Sequence, residues 1–201
     1  MVKADCGGCE GCSRCCHGMG NSIILDPYDV YRMTIGMGKS MQELLAASVE
    51  LNVVDGVILP NLKMQGAEEA CAYLDGEGRC SIHPYRPGIC RLFPLGRYYE
   101  NGGFSYFLQT GECAKENRSK IKVSKWIDTP DLTRNQQFTL QWHDLLHAME
   151  ERLTGEDEGK QREENLLLLR LFYLLPYEGT IDFYTQFTER MEHWNGQNGQ
   201  I

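Results

Sequence analysis

No stretch of this 201-residue chain is apolar enough to cross a bilayer as a helix. The longest hydrophobic run, residues 166–175, is broken by Arg170 and falls far short of the ~20 residues a crossing needs. Positive charge is also scarce: Lys+Arg 20 against Asp+Glu 28 leaves a formal net charge of −8 and a pI near 5.2. Such a surface repels phosphate backbones, so neither nucleic acid nor membrane is expected as a partner. Neither a G-x-G-x-x-G nor a Walker pattern occurs, which leaves a standard nucleotide site without support. The first residues, Met1-Val2-Lys3-Ala4-Asp5-Cys6, carry no apolar signal-peptide core, and a cytoplasmic location is expected. Hydrophobic and charged contents of 42 % and 24 % are ordinary globular values, so disorder is excluded as the organising state.

What the chain does have is nine cysteines. They are too few for a disulfide scaffold, which usually exceeds ~8–10 % cysteine, and many for a reducing compartment. There, clustered thiols are metal ligands or redox centres more often than disulfides. Five stand in the first sixteen residues, Cys6, Cys9, Cys12, Cys15 and Cys16, in a glycine-rich stretch without hydrophobic period, so something other than core burial must order it. A Cys-x2-Cys step lets two sulfurs converge on one ion, and flexible glycines let backbone N–H groups point at thiolate sulfur. Cys6, Cys9, Cys12 and Cys16 also fit the bacterial ferredoxin spacing, but His17 stands where that motif has proline and no second run exists. The vicinal pair Cys15-Cys16 points its side chains in different directions. It suggests two neighbouring centres, or one cluster with sulfurs on different irons. Cys71, Cys80, Cys90 and Cys113 follow at wide intervals, and nine thiols suffice for two four-thiolate sites with one left over.

The coarse element pattern is α+β: a cysteine-rich, irregular region with short strands, then a C-terminal helical part. Residues 23–25 read as a short buried strand. Asp26-Pro27 reads as an N-cap and first turn opening a helix through Met33. Ser40 and Glu43 form a capping box ahead of Leu44, Leu45 and Val49, and Asp55-Gly56 between valine-rich segments marks a hairpin. Turns at residues 76–78 and 101–103 punctuate the region from Cys71 to Cys113, the second joining strands at 95–100 and 104–109. A long helix begins after Thr129-Pro130-Asp131, burying Leu132, Phe138, Trp142, Leu145, Leu146, Met149 and Leu153 and stopping at Gly155. A charged loop over 156–160, a helix around 166–175 ended by Pro176, a third helix over 181–194 and a frayed polar tail at 195–201 complete the reading. The boundary falls near residue 125: a cysteine-cluster metal-binding domain over 1–125 and a helical extension over 126–201 packing on it.

Cys12-Ser13-Arg14-Cys15-Cys16, Asp26 at a helix start, Cys71-Ala72-Tyr73-Leu74, and the run from Cys80 through His83-Pro84-Tyr85-Arg86-Pro87-Gly88-Ile89-Cys90-Arg91-Leu92-Phe93-Pro94 resemble the CxxCxxCC zinc- or iron-chelating family, also called YkgJ-type. The resemblance runs from about Cys9 to Cys113. Its eight-cysteine pattern maps onto Cys9, Cys12, Cys15, Cys16, Cys71, Cys80, Cys90 and Cys113, which it implies as metal ligands. Cys6 lies outside it, and His83 stands where members often carry an aromatic residue. Flagellin lysine-N-methylase is an enzymatic relative, so the resemblance also implies an alternative: a protein lysine N-methyltransferase using S-adenosylmethionine. Pro87 fixes the turn before Cys90, and Arg86 and Arg91 are expected to flank its thiolate. Zinc and iron–sulfur centres both accept four thiolates. Zinc usually takes two separated Cys-x2-Cys knuckles, whereas here one dense loop meets widely spaced partners. The expectation is therefore an iron–sulfur cluster, of the [4Fe–4S] kind, in a structural or redox role, with zinc as the alternative.

Three further features carry weaker signals. His143-Asp144-Leu145-Leu146-His147 approaches the zinc-peptidase H-E-x-x-H but lacks a third ligand, and reads as surface histidines on a helix. Lys115, Arg118, Lys120, Lys122 and Lys125 read as a solvated face. The run at 166–175 reads as core of the helical part, through which a protein partner could also be bound.

Overall fold

The computed structural model describes residues 1–198 apart from 6, 8–11 and 116. Cys6, Cys9 and the last three residues of the expected frayed tail lie outside the described residues. The chain is α+β, with short antiparallel strand pairs in the N-terminal part and helices in the C-terminal part. Its elements are β1 (Val2–Asp5), α1 (Pro27–Met37), α2 (Met41–Ala47), β2 (Val49–Val54), β3 (Val57–Leu62), β4 (Met64–Gln65), β5 (Ala70–Cys71) and α3 (Gly88–Leu92). They continue with β6 (Leu95–Glu100), β7 (Gly103–Leu108), β8 (Ser119–Ile121), α4 (Val123–Ile127), α5 (Leu132–Leu153), α6 (Glu158–Leu169) and α7 (Phe183–Asn198). Among the described residues the strands pair as four two-stranded antiparallel ribbons, β1 with β8, β2 with β3, β4 with β5 and β6 with β7.

Local chemistry accounts for most of these elements. Asp26 accepts from the Asp29 N–H (2.8 Å) while the Asp29 carboxylate accepts from the Asp26 N–H (3.2 Å), a reciprocal cap, and Pro27 supplies the first turn. The helix runs a turn beyond the expected Met33, to Met37, where Gly38 takes the left-handed conformation at φ 62°. Asp55 and Gly56 (φ 51° and 81°) close the β2–β3 hairpin, and Asn101 and Gly102 (φ 50° and 69°) close β6–β7, as two-residue turns matching the strand twist. Val49 lies in β2 rather than on the helical face expected for it, because α2 ends at Ala47.

The charged loop expected at 156–160 is mostly helix. Asp157 caps α6 by accepting from the N–H groups of Gly159 (2.9 Å) and Lys160 (3.2 Å), and the helix passes into a π turn over Arg170–Leu174. Residues 23–25 make a single bridge to β3 through the Leu25 N–H to Pro60 carbonyl bond (2.8 Å) and its Leu62 to Ile23 counterpart (3.0 Å), with Ile23 and Leu25 buried.

The main core joins both halves. Phe138, Trp142, Phe172, Tyr173, Phe183 and Phe187 interlock beneath Leu25, Val30, Met33 and Leu62, with Phe138 and Phe187 edge-to-face at 4.8 Å. Two buried polar links tie the helices to the ribbons. Tyr173 donates to the Leu25 carbonyl at 3.0 Å, and Asn165 accepts from the Ile58 N–H (2.6 Å) while donating to the Gly56 carbonyl (3.3 Å). Cys71, Cys80 and Cys90 pack, partly buried, against this same core.

Candidate metal centre

The cysteines are delivered by short segments that carry little regular structure but many backbone bonds. Cys15 and Cys16 sit in one 3-10 turn (Arg14–Cys16), closed by the Cys16 N–H on the Ser13 carbonyl at 2.8 Å. His17 bridges to Ala70 and the Gly18 N–H donates to the Glu69 carbonyl (3.0 Å), so this turn is stitched to the ribbon that ends in Cys71. Between Cys71 and Cys80 the chain doubles back on Asp75, whose carboxylate accepts from the N–H groups of Glu77 (3.0 Å) and Arg79 (2.8 Å). A bridge from Leu74 to Cys80 holds that loop shut. Tyr73, buried beside it, shares a 2.5 Å hydrogen bond with the Ser48 hydroxyl.

Cys90 comes from the short helix α3, which is anchored from outside. The Gly88 N–H donates to the buried Asp29 carboxylate at 2.6 Å, across the gap from α1. Arg32 of α1 also donates to the Pro84 carbonyl, and Gly36 leaves the space on α1 that the Tyr85 ring fills. Three features of one helix therefore hold the 84–90 segment. The sequence marked Asp26 but not Asp29. The available signal was the aspartate at the third helical position, three residues after the cap.

These segments bring Cys15, Cys16, Cys71, Cys80 and Cys90 around one cavity of about 270 Å3, otherwise walled mainly by apolar side chains including Met19, Ile23, Met64, Phe93 and Leu95. Cys15 also borders a second space of about 20 Å3 lined by Cys12 and Cys113. Seven of the eight cysteines implied by the resemblance are thus on the two cavities, and the eighth, Cys9, lies outside the described residues. His83 is exposed and lines neither cavity.

Inside the larger cavity the thiols perturb one another's ionisation. Burial first, then the charges of neighbouring thiols, pushes Cys71 and Cys80 up from the usual thiol range. The Tyr73 N–H at Cys71, and the Ile82 N–H with Arg86 at Cys80, pull the other way. Cys90 is raised further by burial, by Asp29 and by Cys71, Cys80 and Cys15. The vicinal pair divides one proton. Cys15, accepting a hydrogen bond from the Cys16 thiol, is lowered to about 6 against its own burial, with help from its own backbone N–H, Arg86 and His17; Cys16 is raised by the same bond and by burial. Thiols that resist ionising together in an apolar space are a donor set that a cation completes, since its charge reverses the repulsion among them. Arg91, expected beside Cys90, instead turns to the Ile127 carbonyl (3.0 Å), leaving Arg86 as the guanidinium that bears on Cys15 and Cys80.

Among the described residues, no group of three or more His, Cys, Asp or Glu side chains stands so that it could hold a metal ion. The histidines of the H-D-x-x-H segment are apart from the cysteines: the His143 ring stacks flat on Tyr99 at 3.7 Å, and the His147 side chain is 59 % exposed.

A thiol-lined, largely apolar cavity assembled from turns is a candidate site for a cysteine-ligated metal. Residues 8–117, more than half of the chain, match the CxxCxxCC model, described as "Putative zinc- or iron-chelating domain", and the chain belongs to that family. No curated protein and no solved structure matches the chain. No helix among the described residues is long and apolar enough to cross a membrane.

Proposed function

We propose that the chain holds a polynuclear iron–sulfur centre on the thiolates of its larger cavity, in an electron-carrying or redox-sensing role. The carrying observation is the gathering of five thiols on one largely apolar space of about 270 Å3. A single tetrahedral ion with metal–sulfur bonds of ~2.3 Å needs its sulfurs roughly 3.8 Å apart. Five cysteines on the wall of the cavity are more sulfurs than one tetrahedral ion takes. A cluster, which offers its ligands separate irons, fits a space of that size.

Such a centre supplies one-electron transfer when bound. The chain's own residues do the rest. Arg86 offsets negative charge at Cys15 and Cys80, and the N–H groups of Tyr73 and Ile82 bear on the Cys71 and Cys80 sulfurs. Met19, Ile23, Met64, Phe93 and Leu95 keep water from the thiols, while Ser22, Gln109 and Glu112 join Arg86 and Tyr73 as the polar residues of the lining. Asp29, through Gly88, fixes the turn that presents Cys90.

Anaerobic purification followed by a visible spectrum and iron and acid-labile sulfide analysis tests the reading. Brown protein with iron and sulfide in comparable amounts is expected. Colourless protein carrying stoichiometric zinc and no sulfide overturns it in favour of a zinc-chelating role.

A further inference from the structure

The β1–β8 ribbon and α4 have two unlike faces. Inward, Val2, Val123, Trp126 and Ile127 pack with Leu92 and Leu95 in a small core of their own. Outward, the same segments present Lys3, Lys120, Lys122 and Lys125, all exposed. Lys3 stands directly opposite Lys120 in the antiparallel register, a like-charge pair that costs stability. Among the described residues none of these four lysines makes an ion pair. Of the neighbouring carboxylates, Asp5 accepts from the Gly7 N–H (3.1 Å) and the Ser119 hydroxyl (3.2 Å), and Asp128 lies 4.0 Å from Arg91. We infer that this lysine face is the docking surface for an acidic electron-carrier protein, whose carboxylates meet the four ammonium groups. The inference rests on the redox reading above and adds the chemistry of the partner to it.

Position ties this face to the thiols. Trp126 donates to the Leu92 (3.2 Å) and Phe93 (3.1 Å) carbonyls, at the end of the helix that carries Cys90, and the Ile127 carbonyl accepts from Arg91 at 3.0 Å. Phe93 lines both thiol cavities, and Trp126 lines the smaller one with Cys12, Cys15 and Cys113. A carrier seated on the lysines therefore lies beside the cavities, where one electron passes from the reduced carrier to the centre, oxidising the first and reducing the second. Charge then selects the partner. From residue 126 onward six basic residues stand against fourteen acidic, whereas residues 1–125 hold fourteen of each, and residues 117–125 hold four basic and no acidic ones. The helical part repels an acidic protein while the lysine face attracts it, so the encounter is oriented with the thiol side foremost. Lysines are compact, hydrated charges on flexible stems, suited to the small, weak interfaces of redox encounters more than to bidentate recognition.

The test uses the full chain purified without oxygen. Its probes are a plant-type ferredoxin as the acidic carrier, cytochrome c as a basic one and a fluorescent oligothymidylate for nucleic acid. Ferredoxin is expected to bind with an affinity that falls steeply as salt is added. Lys3→Glu combined with Lys120→Glu, and Lys122→Glu combined with Lys125→Glu, should each weaken it by about tenfold or more. Lys39→Glu, at an exposed site between α1 and α2, leaves it unchanged. Iron content, sulfide content and far-ultraviolet circular dichroism of every variant stay those of the wild type. The docking face is overturned if ferredoxin does not bind, if the lysine variants bind it as the wild type does, or if cytochrome c or the oligothymidylate binds more tightly. Self-association of the wild type at low salt that the lysine variants lose also overturns it, since the face then belongs to a second copy. Metal analysis judges the redox reading separately. A chain that holds iron and sulfide but ignores ferredoxin refutes the docking face alone, and a chain lacking both refutes the centre even where ferredoxin binds through these lysines.

Discussion

Replacing Asp29 by asparagine probes the strut between α1 and the turn that carries Cys90. The Asp29 side chain is buried, with one oxygen accepting the Gly88 N–H at 2.6 Å and the other the Asp26 N–H at 3.2 Å. Asparagine offers one acceptor oxygen, so its amide group faces one of those N–H donors and leaves it unpaired, at a cost of about 1–3 kcal/mol. A smaller term opposes this. Burial, and then the neighbouring Asp26, push the Asp29 carboxyl well above the usual carboxylate range, so removing the ionisable group relieves some strain at neutral pH. The net expectation is a loss of about 1–2 kcal/mol, a fall of roughly 0.5–1 M in the urea midpoint for a slope of about 2 kcal/mol/M.

The pH dependence has a definite sign. A carboxyl raised on folding stabilises the native state most in acid, and that contribution fades as pH climbs through the raised value. The cost of Asp29→Asn is therefore largest in mild acid and shrinks toward alkaline pH. The same variant should surrender bound metal to a chelator faster than the wild type, because Gly88 opens the helix that holds Cys90. A midpoint within about 0.2 M of the wild type, with unchanged metal retention, would refute the strut.

Asn165→Ala removes an acceptor for the Ile58 N–H and donors to the Gly56 and Gln161 carbonyls at a 4 % exposed site, and should destabilise by about 1–3 kcal/mol in thermal or urea unfolding. Arg152→Ala strips the 2.9 Å partner from Glu164, a nearly buried carboxylate, and is expected to cost about 2–3 kcal/mol. An Arg152→Met and Glu164→Leu double variant should recover most of that, as a double-mutant cycle would show. Asp182 accepts from the Thr185 N–H (3.0 Å) at the start of α7. Against its slight desolvation, that bond, the Thr185 hydroxyl and Arg134 hold its carboxyl below the usual range. Asp182→Ala should thus cost about 1 kcal/mol at neutral pH, and nothing once acid titrates the wild-type carboxyl through its lowered value.

Local signals made part of the fold legible. Asp55-Gly56, the Asp26-Pro27 cap and the apolar face of α5 each announce themselves within a few residues, and each is present. What escaped depends on distance or on polar burial. The β1–β8 ribbon pairs Val2 with Ile121, and nothing local in Val2–Asp5 points to a partner so far along the chain. The start of α6 was hidden because its first turns are polar, with Glu164 and Asn165 buried by partners the sequence does not reveal. Composition and spacing marked the cysteines as candidate ligands, and the family resemblance named eight of them. Their grouping was hidden, since Cys15, Cys16, Cys71, Cys80 and Cys90 come to one cavity only after several turns and one anchored helix have folded.

Iron K-edge X-ray absorption on the anaerobically purified chain bears most directly on the central claim, that these thiols surround one polynuclear centre. The account predicts a first shell of sulfur and a second shell of iron, both lost in Cys71→Ser and Cys90→Ser. An iron environment of nitrogen and oxygen, or sulfur ligation with no neighbouring iron, would contradict it.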